Sequence, residues 1–214
     1  MNLKRYLSKL IKIDFIKSFY VNYSQFGFQG ILKWPIILEY AVKYRNKGEI
    51  NIEEMSFYML SINSKSSIEI SKGGKLVLKG ANSCFNSGSN IIIGKDAVME
   101  IGHRFYCNGR SDFNCLKHVV FGNDVLFSVN IMLMDTDFHK IYNNRDEQIN
   151  SNQEIIIGDK VWIGCNTTVL KGTRIGNNII IGACSLLSGK YLCENSIYVG
   201  NPSKIILSDI TWHY

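Results

Sequence analysis

A six-residue step runs through the C-terminal half of this chain. From Ile157 it gives Ile163, Val169, Ile175, Ile181 and Leu187, all aliphatic. The residues that follow these six are Gly158, Gly164, Leu170, Gly176, Gly182 and Ser188. Four positions after the first five starts stand Val161, Thr167, Thr173, Ile179 and Ser185, all small or β-branched. The step recurs upstream as Phe121, Phe127, Leu133 and as Ile93, Met99, Phe105, with Gly122 and Gly94 after the first member of each. A period of six is neither helical nor a simple strand alternation. It suits a short strand plus a turn. One apolar side chain points inward per strand, a small residue fills the narrow interior beside it, and glycine permits the turn. Three such units close a triangular coil, and coils stacked about 4.8 Å apart pair their backbones. Stacking satisfies the polar groups that a lone coil leaves open.

Composition supports a packed fold. Of 214 residues, 46% are hydrophobic and 20% charged, which excludes a disordered chain. No apolar run approaches the ~18 residues of a membrane-spanning helix. The N-terminal stretch MNLKRYLSKLIKIDFIKSF is cut by charges and lacks the apolar core of a secretory signal. Charge is uneven. Residues 1–50 hold nine Lys/Arg against three Asp/Glu, and the remainder holds fifteen of each. The same stretch carries ten of the 25 aromatic residues. Two readings stand: a helical subdomain with a solvated basic face, or contact with an anionic membrane surface or polyanion. No nucleic-acid-binding motif accompanies the charge, so nucleic acid is not an expected partner. The six cysteines (84, 107, 115, 165, 184 and 193) form no C-x-x-C pair, and reduced thiols are expected. His103, His118, His139 and His213 show no metal-ligand spacing, and no metal site is expected.

The stretch IIIGDKVWIGCNTTVLKGTRIGNNIIIGACSLLSG, followed by VGNPSKII, resembles the hexapeptide-repeat acyltransferases. The resemblance is clear over about residues 90–207, weaker over 61–89 and absent over 1–60. It implies a left-handed parallel β-helix, and the expected fold class is mainly β: that β-helix with an N-terminal helical subdomain and an extruded loop. The expected organisation is a basic, aromatic helical region over 1–60 and a β-helix over 61–207. About seven 18-residue coils fit there once the loop 134–154 is set aside. The tail 208–214 is uninterpreted.

The loop follows from the break in the repeat. After Leu133 the pattern stops until Ile157, and the text between, MDTDFHKIYNNRDEQINSNQE, is too polar for a coil interior. Read alone, its His139 is a loop histidine, solvated or bridging a turn. The segment Asp135-Thr136-Asp137-Phe138-His139, however, resembles the D-x-D-x-H loop of the sugar O-acetyltransferase branch. That resemblance makes His139 the general base. Neutral imidazole suits the task, because a sugar hydroxyl is a poor nucleophile until its proton is removed. Asp135 and Asp137 are alternative partners for it, or ligands for the acceptor sugar. Asn130 matches a position that contacts acceptor hydroxyls, or is an ordinary turn asparagine.

The resemblance also implies a donor site for acetyl-CoA. Val161-Trp162-Ile163-Gly164-Cys165 is similar to the family's V-W-I-G-[SA] turn, so the Cys165 N–H becomes an oxyanion donor. Trp162 then shapes the pantetheine groove, or simply packs between coils. Gly182 and Ala183 match the backbone that runs along pantetheine, with Cys184 where glycine is usual. Lys190 resembles a lysine that meets CoA phosphates, displaced by an insertion at Ser188-Gly189. Pro202 and Lys204, in Gly200-Asn201-Pro202-Ser203-Lys204, match the turn that flanks adenine and the 3′-phosphate. A covalent route through Cys165 would need an adjacent base and a lowered pKa, and the resemblance argues against it, because the family places Ser or Ala there and uses only the backbone.

The expected function is an acetyl-CoA-dependent O-acetyltransferase acting on a sugar hydroxyl of a bacterial surface polysaccharide or its precursor. Transfer is direct and needs no metal. The expected assembly is a homotrimer with sites between subunits. The expected location is cytoplasmic, at the inner face of the membrane if the N-terminal region makes peripheral contact. The alternatives are an amino-sugar N-acetyltransferase, a metal-dependent lyase of the γ-carbonic-anhydrase type, and a non-catalytic β-helix scaffold. The lyase needs three converging histidines that His103, His118 and His139 do not supply by spacing.

Overall fold

The computed structural model describes residues 12–53, 56 and 59–213. Strands are dealt to three sheets in rotation. Ile36–Leu38 starts the first, Lys43–Asn46 the second and Glu49–Ile52 the third; Leu60–Ile62 then returns beside Ile36–Leu38. The sheets reach nine, seven and seven strands among the described residues. Pairing is parallel except for the last strand, Lys204–Leu207, which runs antiparallel to Ser196–Val199. The chain is therefore a triangular parallel coil, each strand hydrogen-bonded to the strand one coil away.

The six-residue step is the inward column. Ile157, Ile163, Val169, Ile175, Ile181 and Leu187 are all buried, as are their small companions Val161, Thr167, Thr173, Ile179 and Ser185. The buried hydroxyls find carbonyls: Thr173 Oγ1 donates to Leu187 O at 3.1 Å and Ser185 Oγ to Gly182 O at 2.7 Å. Phe85, Phe105, Phe113, Phe121 and Phe127 fill the wider middle coils, with ring centroids 4.7–6.3 Å apart. Such tilted and stacked aromatic pairs add to the burial of large apolar surfaces.

The coil begins earlier than the repeat suggests. Among the described residues of the expected helical region 1–60 there is one helix, α1 (Phe15–Lys33), and the first described coil strand starts at Ile36. Residues 1–11 of that region lie outside the described residues. The reason is coil length. On the first sheet, Ile36 pairs with Leu60, Leu60 with Ser83, Cys84 with Tyr106 and Tyr106 with Leu126, steps of 24, 23, 22 and 20 residues. Only later does the step reach 18, from Trp162 to Ile180. Longer turns in the early coils put their inward residues out of six-residue phase.

The glycines of the six-residue step serve stacking and not the turn itself. A Cβ on Gly122 would lie 2.6 Å from Gly158 C, and one on Gly164 would lie 2.5 Å from Ala183 N. Neither glycine has positive φ. That conformation falls two residues later, on Asp124 (φ 58°) and Asn166 (φ 57°), residue types that tolerate it.

Both ends of the stack are covered, as solenoids require. The helix α1 is capped by Asp14, whose side chain accepts from Lys17 N at 2.9 Å, and is broken at Gly27. It lies on the edge strand Ile36–Leu38. Asn22 Nδ2 donates to Ile36 O at 2.7 Å, and Asn22 Oδ1 accepts from Ile36 N at 3.0 Å. Ser18 Oγ accepts from Leu38 N at 3.0 Å. Two buried helix side chains thus stand in for a missing strand. At the other end the tail folds back: Ile210 N donates to Asn195 O, and Trp212 Nε1 donates to Lys160 O at 2.9 Å.

Candidate active site

The turns between the first and second sheets stack into one corner of the coil. Asn130 lies between Leu126–Phe127 and Met132–Met134; Gly164, Cys165 and Asn166 lie between Trp162–Ile163 and Thr168–Leu170. Gly182, Ala183 and Cys184 follow one coil on. Asn166 N donates to Val129 O at 3.2 Å and Cys184 N to Cys165 O at 2.9 Å, which fixes this order. Asn130 Nδ2 donates to Asn166 Oδ1 at 2.7 Å. Gly200 N donates to Ser185 Oγ at 3.1 Å, so the turn with Pro202 and Lys204 continues the same corner. The corner therefore assembles Asn130, Gly164, Cys165, Gly182, Ala183, Pro202 and Lys204. The Cys165 N–H has no partner among the described residues. Cys165 is half-buried. An unpartnered amide at a rigid turn is able to stabilise developing negative charge on an oxygen.

Trp162 stands on this edge, partly exposed, with Nε1 3.3 Å from Ser128 Oγ. Its ring packs against Trp212 of the tail, centroids 6.1 Å apart. The tail therefore supports the tryptophan, a role that the repeat pattern gave no reason to expect. Lys190 is elsewhere. It opens the strand Lys190–Tyr191 of the third sheet, paired with Arg174, and not at the Cys165–Ala183 corner. The insertion at Ser188-Gly189 carries it past the turn.

The polar segment 135–154 links the second sheet to the third, at a different corner. His139 is exposed there, and its N–H donates to Asp137 O at 2.6 Å. Its imidazole makes no hydrogen bond among the described residues. The main chain around it is held from below. Asn150 Nδ2 donates to His139 O at 2.7 Å and to Asp137 Oδ2 at 2.9 Å, while Asn150 Oδ1 accepts from Ile141 N at 2.7 Å. Lys171, from the turn after Thr168–Leu170, donates to Asp137 Oδ2 at 2.6 Å and to the carbonyls of Asn150 and Ser151 at 3.0 and 3.3 Å. The Lys171 ammonium, then the Asn150 amide, hold the Asp137 carboxyl below its usual range.

The two aspartates of the D-x-D-x-H segment have separate tasks. Asp135, read as a catalytic candidate, is fully buried and makes no hydrogen bond to the imidazole. Its oxygens accept from Leu116 N, Lys117 N and His118 N at 2.7, 2.7 and 2.8 Å. Burial pushes this carboxyl up, and the three amides pull against that shift. Asp135 is a backbone clamp between coils. Asp137 does not touch the imidazole either; it acts on His139 through Asn150. Lys171 and Asn150 carry the loop, and the linear pattern offers no signal for them, because their contacts span 34 and 13 residues.

His103 and His118 have other partners. His103 Nδ1 accepts from Ala81 N at 3.1 Å, and His118 sits between Glu100 at 2.8 Å and Glu154 at 3.5 Å. Among the described residues no group of three His, Cys, Asp or Glu is placed to hold a metal ion. No disulfide joins the six cysteines. Cys84, Cys107 and Cys115 are buried, and burial pushes the Cys107 and Cys115 thiols up.

A three-sheet parallel coil with glycine at its stacking positions defines a hexapeptide-repeat β-helix. The family profile described as bacterial transferase hexapeptide (six repeats) matches residues 154–189, the later coils of the stack. The galactoside O-acetyltransferase of Escherichia coli (strain K12) is 31% identical over 137 residues, 61% of each chain. The polysialic acid O-acetyltransferase of Neisseria meningitidis is 30% identical over 143 residues, 66% of each chain. The chain spans 50–61% of the length of the first curated relatives it matches. The crystal structure of the polySia specific acetyltransferase NeuO has the same fold, at a TM-score of 0.56 and 22% identity over 84% of each chain.

Proposed function

We propose that this chain is an acetyl-CoA-dependent O-acetyltransferase that acylates a hydroxyl of a sugar in a surface polysaccharide or its precursor. The observation that carries this reading is the unpartnered Cys165 amide at a stacked glycine turn, together with a histidine whose main chain is pinned and whose imidazole is free. The relatives named above act on galactosides and polysialic acid by their names, which supports a sugar acceptor. The donor corner fits a thioester with a pantetheine arm: the stacked turns at Cys165 and Ala183, an indole at Trp162, and the Lys204 ammonium beyond Pro202.

In this reading the His139 imidazole accepts the hydroxyl proton as the sugar oxygen bonds to the acetyl carbon. The Cys165 N–H donates to the carbonyl oxygen as it gains charge, a contact often worth about 2.7–4 kcal/mol. The carbon–sulfur bond breaks, and the proton leaves with the CoA thiol. Lys171, Asp137 and Asn150 keep the loop in place and take no proton. Because His139 and Cys165 lie at different corners of one chain, a complete site needs a second copy. A homotrimer of left-handed coils supplies it, each His139 facing a neighbour's Cys165 corner. The exposed Phe15, Ile16, Phe19, Tyr20 and Tyr23 of α1, within the basic N-terminal region, support peripheral contact with an anionic membrane from the cytoplasmic side.

Thermal unfolding with acetyl-CoA, free CoA and a magnesium-ATP control tests the donor site. Saturation at 100 times Kd adds about 2.7 kcal/mol of stability. A selective upward shift with both thioester and thiol is the expected result. Equal curves in all three solutions refute the reading.

A further inference from the structure

The corner that carries Cys165 continues past Asn130 into the earlier coils. Its turns place Lys65, Gly88, Arg110, Asn130, Asn166 and Cys184 in one column, all with positive φ. Asparagine and glycine suit that conformation; lysine and arginine do not. Four cations of the described chain occupy such positions. Arg104 pairs with Asp124, and Lys160 donates to Thr211. Lys65 and Arg110 are exposed, and neither pairs with a carboxylate among the described residues. Strained residues without a structural partner point to a ligand.

The two line one open pocket of about 430 Å³ with Asn86, Ser87, Gly88 and Asn108. Gly88 keeps it open: a Cβ there would lie 3.3 Å from Arg110 Cγ, so the arginine stem runs over bare backbone. Asn86 is committed to Asn63 and Tyr106, while the Asn108 side chain is exposed without a partner among the described residues. Coils stack about 4.8 Å apart, so Asn130 stands about 5 Å and Arg110 about 10 Å from the level of Cys165. The donor-binding turns lie on the opposite side of Cys165, towards Pro202.

We propose that the acceptor is an acidic glycan and that Arg110 and Lys65 hold a carboxylate of a sugar unit next to the acetylated one. The guanidinium fork matches a carboxylate in two parallel hydrogen bonds, and the lysine adds a point charge. The direction of the glycan rests on the transferase reading above; the pocket itself does not.

The test is direct binding by the full chain in the absence of acetyl-CoA. The probes are end-labelled oligosialate and oligogalacturonate, each with a carboxyl-reduced counterpart. Lys65→Asn with Arg110→Asn keeps residues that fit the turn, and Lys72→Asn with Lys117→Asn removes the same charge elsewhere. At least one acidic probe is expected to bind tenfold or more tightly than its reduced form. The pocket double variant is expected to lose tenfold or more, with the control pair and the acetyl-CoA thermal shift unchanged. Equal binding of acidic and reduced probes, or equal loss in both double variants, overturns the proposal. A lost acetyl-CoA shift in the wild type refutes the transferase reading without touching the glycan titration.

Discussion

Asp135→Asn separates clamp from catalyst. In the native chain three N–H donors, from Leu116, Lys117 and His118, converge on the carboxylate at 2.7–2.8 Å. The side chain is fully buried, so water does not replace it. Asparagine keeps one acceptor oxygen and turns an NH2 towards donors. At least one charge-assisted bond is lost, and at least one buried amide is left without an acceptor. Each such loss costs about 1–3 kcal/mol, so the sum is about 3 kcal/mol. For a chain of this size that lowers Tm by about 6–12 °C. Thermal and urea unfolding followed by circular dichroism read the cost. CoA release with acceptor sugar, well below the variant's Tm, reads the activity. The expected result is a marked loss of stability with turnover within a few-fold of wild type. A variant as stable as wild type but inactive refutes the clamp and returns Asp135 to the catalytic set.

Lys171→Met removes the donor to Asp137 and to two loop carbonyls. Amide exchange in 135–154 is expected to quicken, and turnover to fall about tenfold or more through misplacement of His139, with acetyl-CoA binding unchanged. The Asp137 carboxyl is held low in the folded chain, so its contribution is present above the unfolded value and lost as pH falls through the lowered one. Loop exchange should therefore quicken in acid in the wild type, and the variant should show no such step. Phe113→Ala opens the aromatic interior where Phe85, Phe105, Phe121 and Phe127 meet, and is expected to cost about 3–5 kcal/mol in urea unfolding. A cost under 1 kcal/mol would mean that the interior refills.

The later coils were readable because their period is strict. Every aliphatic residue on the six-residue step from Ile157 points inward, since an 18-residue coil with three equal sides allows nothing else. The first coils were not, because turns of variable length shift the phase while leaving strand pairing intact. The cap was hidden for another reason: Asn22 and Ser18 act by reaching a strand edge 14 and 20 residues away, which no local pattern records. At the site, the glycine turn around Cys165 could be read from its motif. The division of labour within Asp135-Thr136-Asp137 could not, because burial and three amides from the preceding coil decide it. Lys171 follows the repeat as an ordinary turn lysine until the loop folds over it.

Transfer by His139→Ala, measured beside its acetyl-CoA binding and Tm, tests the central claim most directly. The side chain is exposed and its imidazole bonds to nothing among the described residues, so the fold and donor affinity should match wild type. Loss of a general base predicts a fall of about 10²–10⁴ in turnover. Turnover within threefold of wild type, with binding intact, would contradict the account.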